Sequence, residues 1–284
     1  MMIALSPIDL IALGCVVFIG LPHGAFDGAI YALLPNKQKG RSLPLFLISY
    51  SAMALLVTLL WLIAPLPSLI GFLALSCFHF GKGDSIPPQG HDTKGWERLV
   101  AIIAHGGLVT IYLPLIHSDA AFSYFASLTF RTLDDLALFS ALFPIAGLLW
   151  LAALISYAKM ALTSVHHRAR FIEVIGAAAL MAWLPILPAF AFYFCAIHSR
   201  RHFLHLYHST KSQAPRTVLP LGLGLMIASW LAGLGALLIA SMYQSFAVSA
   251  IQIIFIGLAA LTVPHMILVD GLWRPLSKQS HSAK

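Results

Sequence analysis

The sequence predicts an all-α fold, a polytopic transmembrane helix bundle of about nine spans with its N-terminus outside and its C-terminus in the cytoplasm. Three observations carry this prediction. Hydrophobic residues make up 60% of the 284 and charged residues only 10%, a balance far from that of a soluble globular domain. The apolar residues fall in runs approaching or exceeding the ~20 needed to cross a hydrocarbon core as a helix. The basic residues, finally, concentrate in alternate loops between those runs, as the positive-inside rule requires.

The runs, broken by charge, Pro and Gly, occupy residues 8–30, 43–63, 67–82, 98–117, 138–158, 171–187, 189–208, 218–242 and 248–270. The first is expected to be a retained span: the first Lys is Lys37, so no basic n-region precedes it, and no small-residue cleavage site follows. The sixth and seventh are divided only by Pro185 and Pro188, a pair suited to a tight turn. With this division, one set of loops and the C-terminal tail holds 16 of the 17 Lys and Arg residues, and the opposite set holds only Arg131. Losing one span would scramble that split. The expected organisation is a single transmembrane domain over 1–272 and a short cytoplasmic tail over 273–284, multi-pass in the plasma (inner) membrane.

The net charge of +7 does not point to nucleic acid, because the basic residues are scattered through short loops rather than gathered in a stripe. Cys15, Cys77 and Cys195 all lie inside apolar runs, and their odd number and spacing fit neither a disulfide framework nor a thiolate knuckle. They read as small packing residues.

Ionisable groups in hydrocarbon cost a few kcal/mol each on insertion scales, so those inside spans are the functional candidates. Here they are mostly histidines. His23, His79, His105, His198, His202, His205 and His265 lie in or at the ends of spans, whereas His91, His117, His166, His167 and His281 fall in loops or the tail. On the nine-span topology His23, His79, the pair His198 and His202, and His265 come from four different spans at similar depth near the cytoplasmic side. Ligands of one metal must converge on a point however distant in sequence, and a shared depth is what convergence needs. The four-residue step from His198 to His202 puts both on one helix face. Imidazole suits Zn, Cu, Fe and Ni, so donor type alone leaves the metal open.

Gly20, Gly24 and Gly28 form a small-residue ridge beside His23 that lets neighbouring helices approach. Pro22 loosens the backbone there. Asp27, one turn after His23, is placed to accept its second ring N–H and fix its tautomer. Asp84 and Asp270 each follow a candidate histidine by five residues and read equally well as solvated interfacial charges. Phe78, Phe80, Phe190, Phe192, Phe194 and Phe203 crowd the histidines and suit a long apolar substrate arriving from the bilayer. The dipeptide Pro-His recurs at 22–23 and 264–265, two matches that do not by themselves establish duplication.

Leu-Pro-His-Gly-Ala-Phe-Asp at 21–27, Cys-Phe-His-Phe-Gly-Lys-Gly-Asp at 77–84, Phe-Cys-Ala-Ile-His-Ser-Arg-Arg-His at 194–202 and Val-Pro-His-Met at 263–266 together resemble the Brp/Blh family of bacterial and archaeal membrane β-carotene 15,15′-dioxygenases. The resemblance runs over nearly the whole chain in motif order. It implies cleavage of the central double bond of β-carotene by O₂ into two all-trans retinal, with Fe(II) held by histidines. Carried over by motif, the catalytic iron ligands are His23, His79, His198 and His202, with His265 as a second-tier candidate. It also implies a functional link to microbial rhodopsins, which use retinal. No Gly-rich nucleotide fingerprint is present, in keeping with a reaction that needs no organic cofactor.

Two other readings compete. The run His198, His202, His205 and His208 suggests a membrane di-iron desaturase or hydroxylase, although such enzymes usually carry several boxes and only one is found. Intramembrane His and Asp suit a metal or proton transporter, whose ligands belong nearer the midplane on broken helices. A rhodopsin is excluded by the lack of a mid-membrane Lys, since Lys82 and Lys159 lie at helix ends.

Overall fold

A computed structural model describes residues 3–33, 42–85, 95–204 and 215–268. Among the described residues all regular structure is helical. In chain order the helices are α1 (Pro7–Cys15), α2 (Pro22–Ala25), α3 (Asp27–Leu33), α4 (Leu43–Ile63), α5 (Pro65–Asp84), α6 (Gly95–Gly107), α7 (Leu113–Ile116) and α8 (Ser118–Leu128). They continue with α9 (Ala137–Thr163), α10 (Val165–Trp183), α11 (Ile186–Ala191), α12 (Pro215–Ala240) and α13 (Phe246–Met266). π-helical stretches extend α1 (Val16–Gly20), α6 (Leu108–Tyr112) and α11 (Phe192–Ser199).

Local chemistry sets the ends. Ser6 and Asp9 bond reciprocally at the start of α1, as do Thr132 and Asp135 ahead of α9, each pair a capping box that satisfies N–H groups left open by the first turn. Ser245 caps α13 through the Val248 N–H. Phe130, with φ 55°, ends α8 where a left-handed residue lets the Arg131 N–H reach back to the Ala126 carbonyl.

Among the described residues five helical stretches are long and apolar enough to cross a membrane: Leu43–Ile63, Gly95–Ile116, Asp134–Thr163, Leu219–Ala240 and Phe246–Met266. Their outward surfaces are those of lipid-facing helices, with Leu55 and Leu62 on α4, Leu148 and Leu149 on α9, and Leu231 and Leu238 on α12 all exposed. The helices at 65–84 and 165–183 occupy other expected runs, but they carry Lys82 and Asp84, and Arg168, Arg170 and Glu173, and are less apolar. The first expected run is not one continuous helix, since it breaks around Leu21 and Phe26 on either side of α2. The stretch 118–137, read from sequence as a loop, instead contains α8, whose Phe122 packs edge to face on Phe139 and Phe143 of α9 while Phe125 lies tilted against the same two rings.

The chain divides into two compact units. The first comprises Met1–Cys15 and Leu66–Arg201, with a core formed by Ala101 and Ala104 of α6, Tyr157 and Met160 of α9, and Val174 of α10. Within it α5 and α6 meet backbone to backbone. A Cβ at Gly81 would lie 2.0 Å from the Ile102 carbonyl oxygen, and one at Gly106 would lie 1.7 Å from that of Cys77. The second unit comprises Val16–Pro65 and His202–Lys284. There Tyr31 stacks on Phe46 at 3.9 Å, beside Leu268, and α4 packs along α13.

Candidate metal centre

In the first unit, α5 carries His79 and Asp84, and the π-helical stretch after α11 carries Tyr193 and His198. The His79 and His198 rings face each other edge to face, with centroids 4.9 Å apart. His198 Nδ1 lies 3.2 Å from Asp84 Oδ2, and the Tyr193 hydroxyl donates to the same oxygen at 3.0 Å. Arg201 adds a guanidinium 3.5 Å from Asp84 Oδ1 and is itself paired with Glu173. Asp84 is only 1% exposed, so its charge is sustained by these three partners rather than by water.

The π-helical backbone explains how one stretch supplies both Tyr193 and His198. At 3.6 residues per turn, side chains five apart are about 1.4 turns apart and point away from each other. In a π-helix the i→i+5 hydrogen bond brings them nearly into line, and both reach Asp84. Around the pair lie phenyl rings: Phe80 at 4.6 Å from His198 and Phe194 stacked at 6.2 Å.

In the second unit, His202 and His265 of α13 face each other with ring centroids 5.2 Å apart. His265 Nδ1 lies 2.8 Å from both carboxylate oxygens of Asp27, the first residue of α3. The Tyr50 hydroxyl of α4 donates to Asp27 Oδ2 at 2.7 Å and approaches the Leu261 carbonyl at 3.3 Å. Asp27 and His265 are both buried.

The sequence-derived candidates are thus distributed as two imidazole pairs, His79 with His198 and His202 with His265. His23 lies on α2, and its side chain is outside the described residues, as are His205, His208, His91, His281 and Asp270. Asp27 was expected to orient His23; its carboxylate is engaged by His265 and Tyr50. Asp84, read from sequence as either interfacial or supporting, is buried and supports His198. His105 is buried with its ring on Tyr157 at 5.6 Å, and its Nε2 has no hydrogen-bond partner among the described residues. His117 holds the Met181 carbonyl through Nε2 at 3.2 Å, a helix tie. Tyr50, Tyr193 and Arg201 were not singled out by sequence reasoning. The glycine ridge is partly realised: Gly28 receives Leu47 and Leu225, and Gly24 faces His265.

The donor chemistry fits a transition metal. A carboxylate only accepts, so each buttressed histidine carries a proton on Nδ1, and in the neutral ring the lone pair is then on Nε2, the arrangement found behind metal-bound imidazoles. None of the three cysteines forms a disulfide, and all are half-buried. Among the described residues no three His, Cys, Asp or Glu side chains form one metal-binding group; the donors come two at a time.

The family model for β-carotene 15,15′-dioxygenase matches residues 15–273. A β-carotene 15,15′-dioxygenase from an uncultured marine bacterium is 37% identical over 279 residues, covering 96% of each chain. A probable β-carotene 15,15′-dioxygenase, Blh, of Halobacterium salinarum is 29% identical over 209 residues, 66% of this chain and 58% of its own. No solved structure matches. The matched span includes every residue of both imidazole pairs and of their Tyr–Asp supports, and on that match this chain belongs to the β-carotene 15,15′-dioxygenase family.

Proposed function

We propose that the protein cleaves the central 15,15′ double bond of β-carotene with O₂, giving two molecules of all-trans retinal. The observation that carries this reading is a near-full-length relationship to a β-carotene 15,15′-dioxygenase in a chain that holds histidine pairs with carboxylate-fixed tautomers. The reaction balances without a reductant, because each half of the hydrocarbon leaves with one oxygen atom. The metal is Fe(II), one per chain, and its ligands are His23, His79, His198 and His202. When bound, ferrous iron supplies the O₂ activation that imidazoles alone do not.

The remaining work belongs to the chain. Asp84 and Tyr193 keep the Nε2 lone pair of His198 turned away from their own side of the ring. Phe80 and Phe194 give the His79 and His198 pair an apolar bed that suits a polyene and excludes water. Regiospecificity then comes from holding the polyene so that its central carbons, rather than neighbouring ones, meet the reactive centre.

The topology proposed with this function is nine spans in the plasma membrane, a single transmembrane domain over 1–272 and a cytoplasmic tail over 273–284. A retinal-binding rhodopsin is the natural consumer of the product. Expression in a β-carotene-producing bacterium tests the reaction: orange colour should fade as retinal accumulates. Purified protein supplied with iron, O₂ and β-carotene that yields only eccentric apocarotenals, or no product, defeats the proposal.

A further inference from the structure

We infer that His265 is a ligand of the same metal ion as His202, with Asp27 and Tyr50 as the residues that position its ring. The inference rests on the metal-dependent reading above and adds to it a ligand and its two supports. The first ground is repetition. Tyr193, Asp84, His198 and His79 form a chain from hydroxyl to carboxylate to imidazole to facing imidazole, and Tyr50, Asp27, His265 and His202 form the same chain from unrelated stretches of sequence. His265 occupies the position in its group that His198 occupies in the other.

The second ground is charge. Asp84 has a guanidinium beside it, whereas among the described residues the carboxylate of Asp27 meets His265 and Tyr50 and no Lys or Arg. A buried carboxylate with no cation is costly. A divalent ion on the far side of the His265 ring supplies the missing positive charge through the imidazole, and the Nδ1–H to carboxylate bond leaves Nε2 as the metal-binding nitrogen. The alternative source of charge is an imidazolium at His265, an ion pair that ties α3 to α13 and binds no metal. The two make opposite predictions for metal affinity.

The test is titration of the full-length, detergent-solubilised and metal-stripped protein with Co(II), read by visible absorption and chelator competition, with thermal unfolding of each metal-free variant alongside. His265→Gln, which keeps the side chain's bulk, and His265→Ala should each weaken Co(II) binding by more than tenfold and change the visible band. Asp27→Asn should weaken it about tenfold, the lower end of the range for a residue behind a ligand, and Tyr50→Phe by less. Wild-type affinity and spectrum in folded His265→Gln and Asp27→Asn, accompanied by a lowered unfolding temperature of the metal-free protein, would establish the ion pair and overturn the inference. Failure of the wild-type protein to bind Co(II) at all would instead defeat the metal-dependent function, an outcome recognisable before any variant is made.

Discussion

The two histidine groups share a plan and differ in how each neutralises its carboxylate. Asp84 spreads its charge over His198, Tyr193 and Arg201, and Arg201 is shared in turn with Glu173. Among the described residues Asp27 gives both oxygens to one imidazole and receives one hydroxyl. The first is a network able to lose a member and keep partial compensation; the second, among those residues, rests on a single ring. On the proposed metal-dependent reading, the same ligand-orienting device is locked by protein charge in one group and left to be completed by a bound cation in the other, and the second should be the more sensitive to metal.

The largest effects should follow removal of rings that face a partner imidazole. His79→Ala and His202→Ala should each reduce retinal formation by more than the ~10–100-fold typical of residues behind a ligand, with iron per chain measured by elemental analysis falling in parallel. Full iron content in either variant would break the equivalence of the two groups.

Next in size come the carboxylates. Asp84→Asn and Asp27→Asn should each weaken metal binding by about 10–100-fold, but they should differ in the metal-free protein. Asp84→Asn strips Arg201 of one of its two carboxylates, and breaking a buried ion pair costs about 3–5 kcal/mol, reduced here because Arg201 is partly exposed and keeps Glu173. Asp27→Asn leaves no guanidinium behind among the described residues. Thermal unfolding without metal should therefore separate them, Asp84→Asn being the less stable; the reverse order would mean that Arg201 contributes little to the first group.

Much of this arrangement was legible in the sequence, for physical reasons that also mark where legibility ended. Long apolar runs can fold in lipid only as helices, and among the described residues five helical stretches are long and apolar enough to cross a membrane. The first expected run is not continuous, because Pro22 and the glycines around it divide it. The candidate histidines were visible because an imidazole in an apolar run is costly and conspicuous. The tyrosines were not, since a phenol in such a run looks like any aromatic, and Tyr193 stands five residues from His198, a spacing that in an α-helix puts it on the wrong side. Only the π-helical backbone over Phe192–Ser199 brings the two together. Asp27 was recognised as a supporting carboxylate beside His23, whose side chain lies outside the described residues, but its bond to His265, 238 residues away, has no signal in local spacing. Likewise α8 was hidden because its Ser and Asp residues make its 11-residue span too polar and too short to read as an apolar run.

The smallest pair of effects concerns packing, and it sharpens the same comparison. In the first unit Gly106 lies against the backbone of Cys77, where a Cβ would come within 1.7 Å of a carbonyl oxygen. A main-chain oxygen on a helix cannot step aside as a side chain can, so Gly106→Ala must separate α5 from α6, at a cost typical of overpacking, about 1–3 kcal/mol, and must shift His79 with α5. Both the unfolding temperature and retinal formation should fall. In the second unit Gly24 also adjoins a histidine group, but the nearest atom to a Cβ added there is His265 Nδ1 at 3.9 Å, ordinary contact. Gly24→Ala removes backbone freedom without forcing a neighbour to move, so stability should stay within about 0.5 kcal/mol of the parent, the range of an unstrained substitution. Metal affinity should stay within about threefold, below the range expected when a residue behind a ligand is lost. A larger fall in affinity at unchanged stability would mean that His265 needs that space to swing on Asp27, and that its ring is set by the ion rather than by the carboxylate.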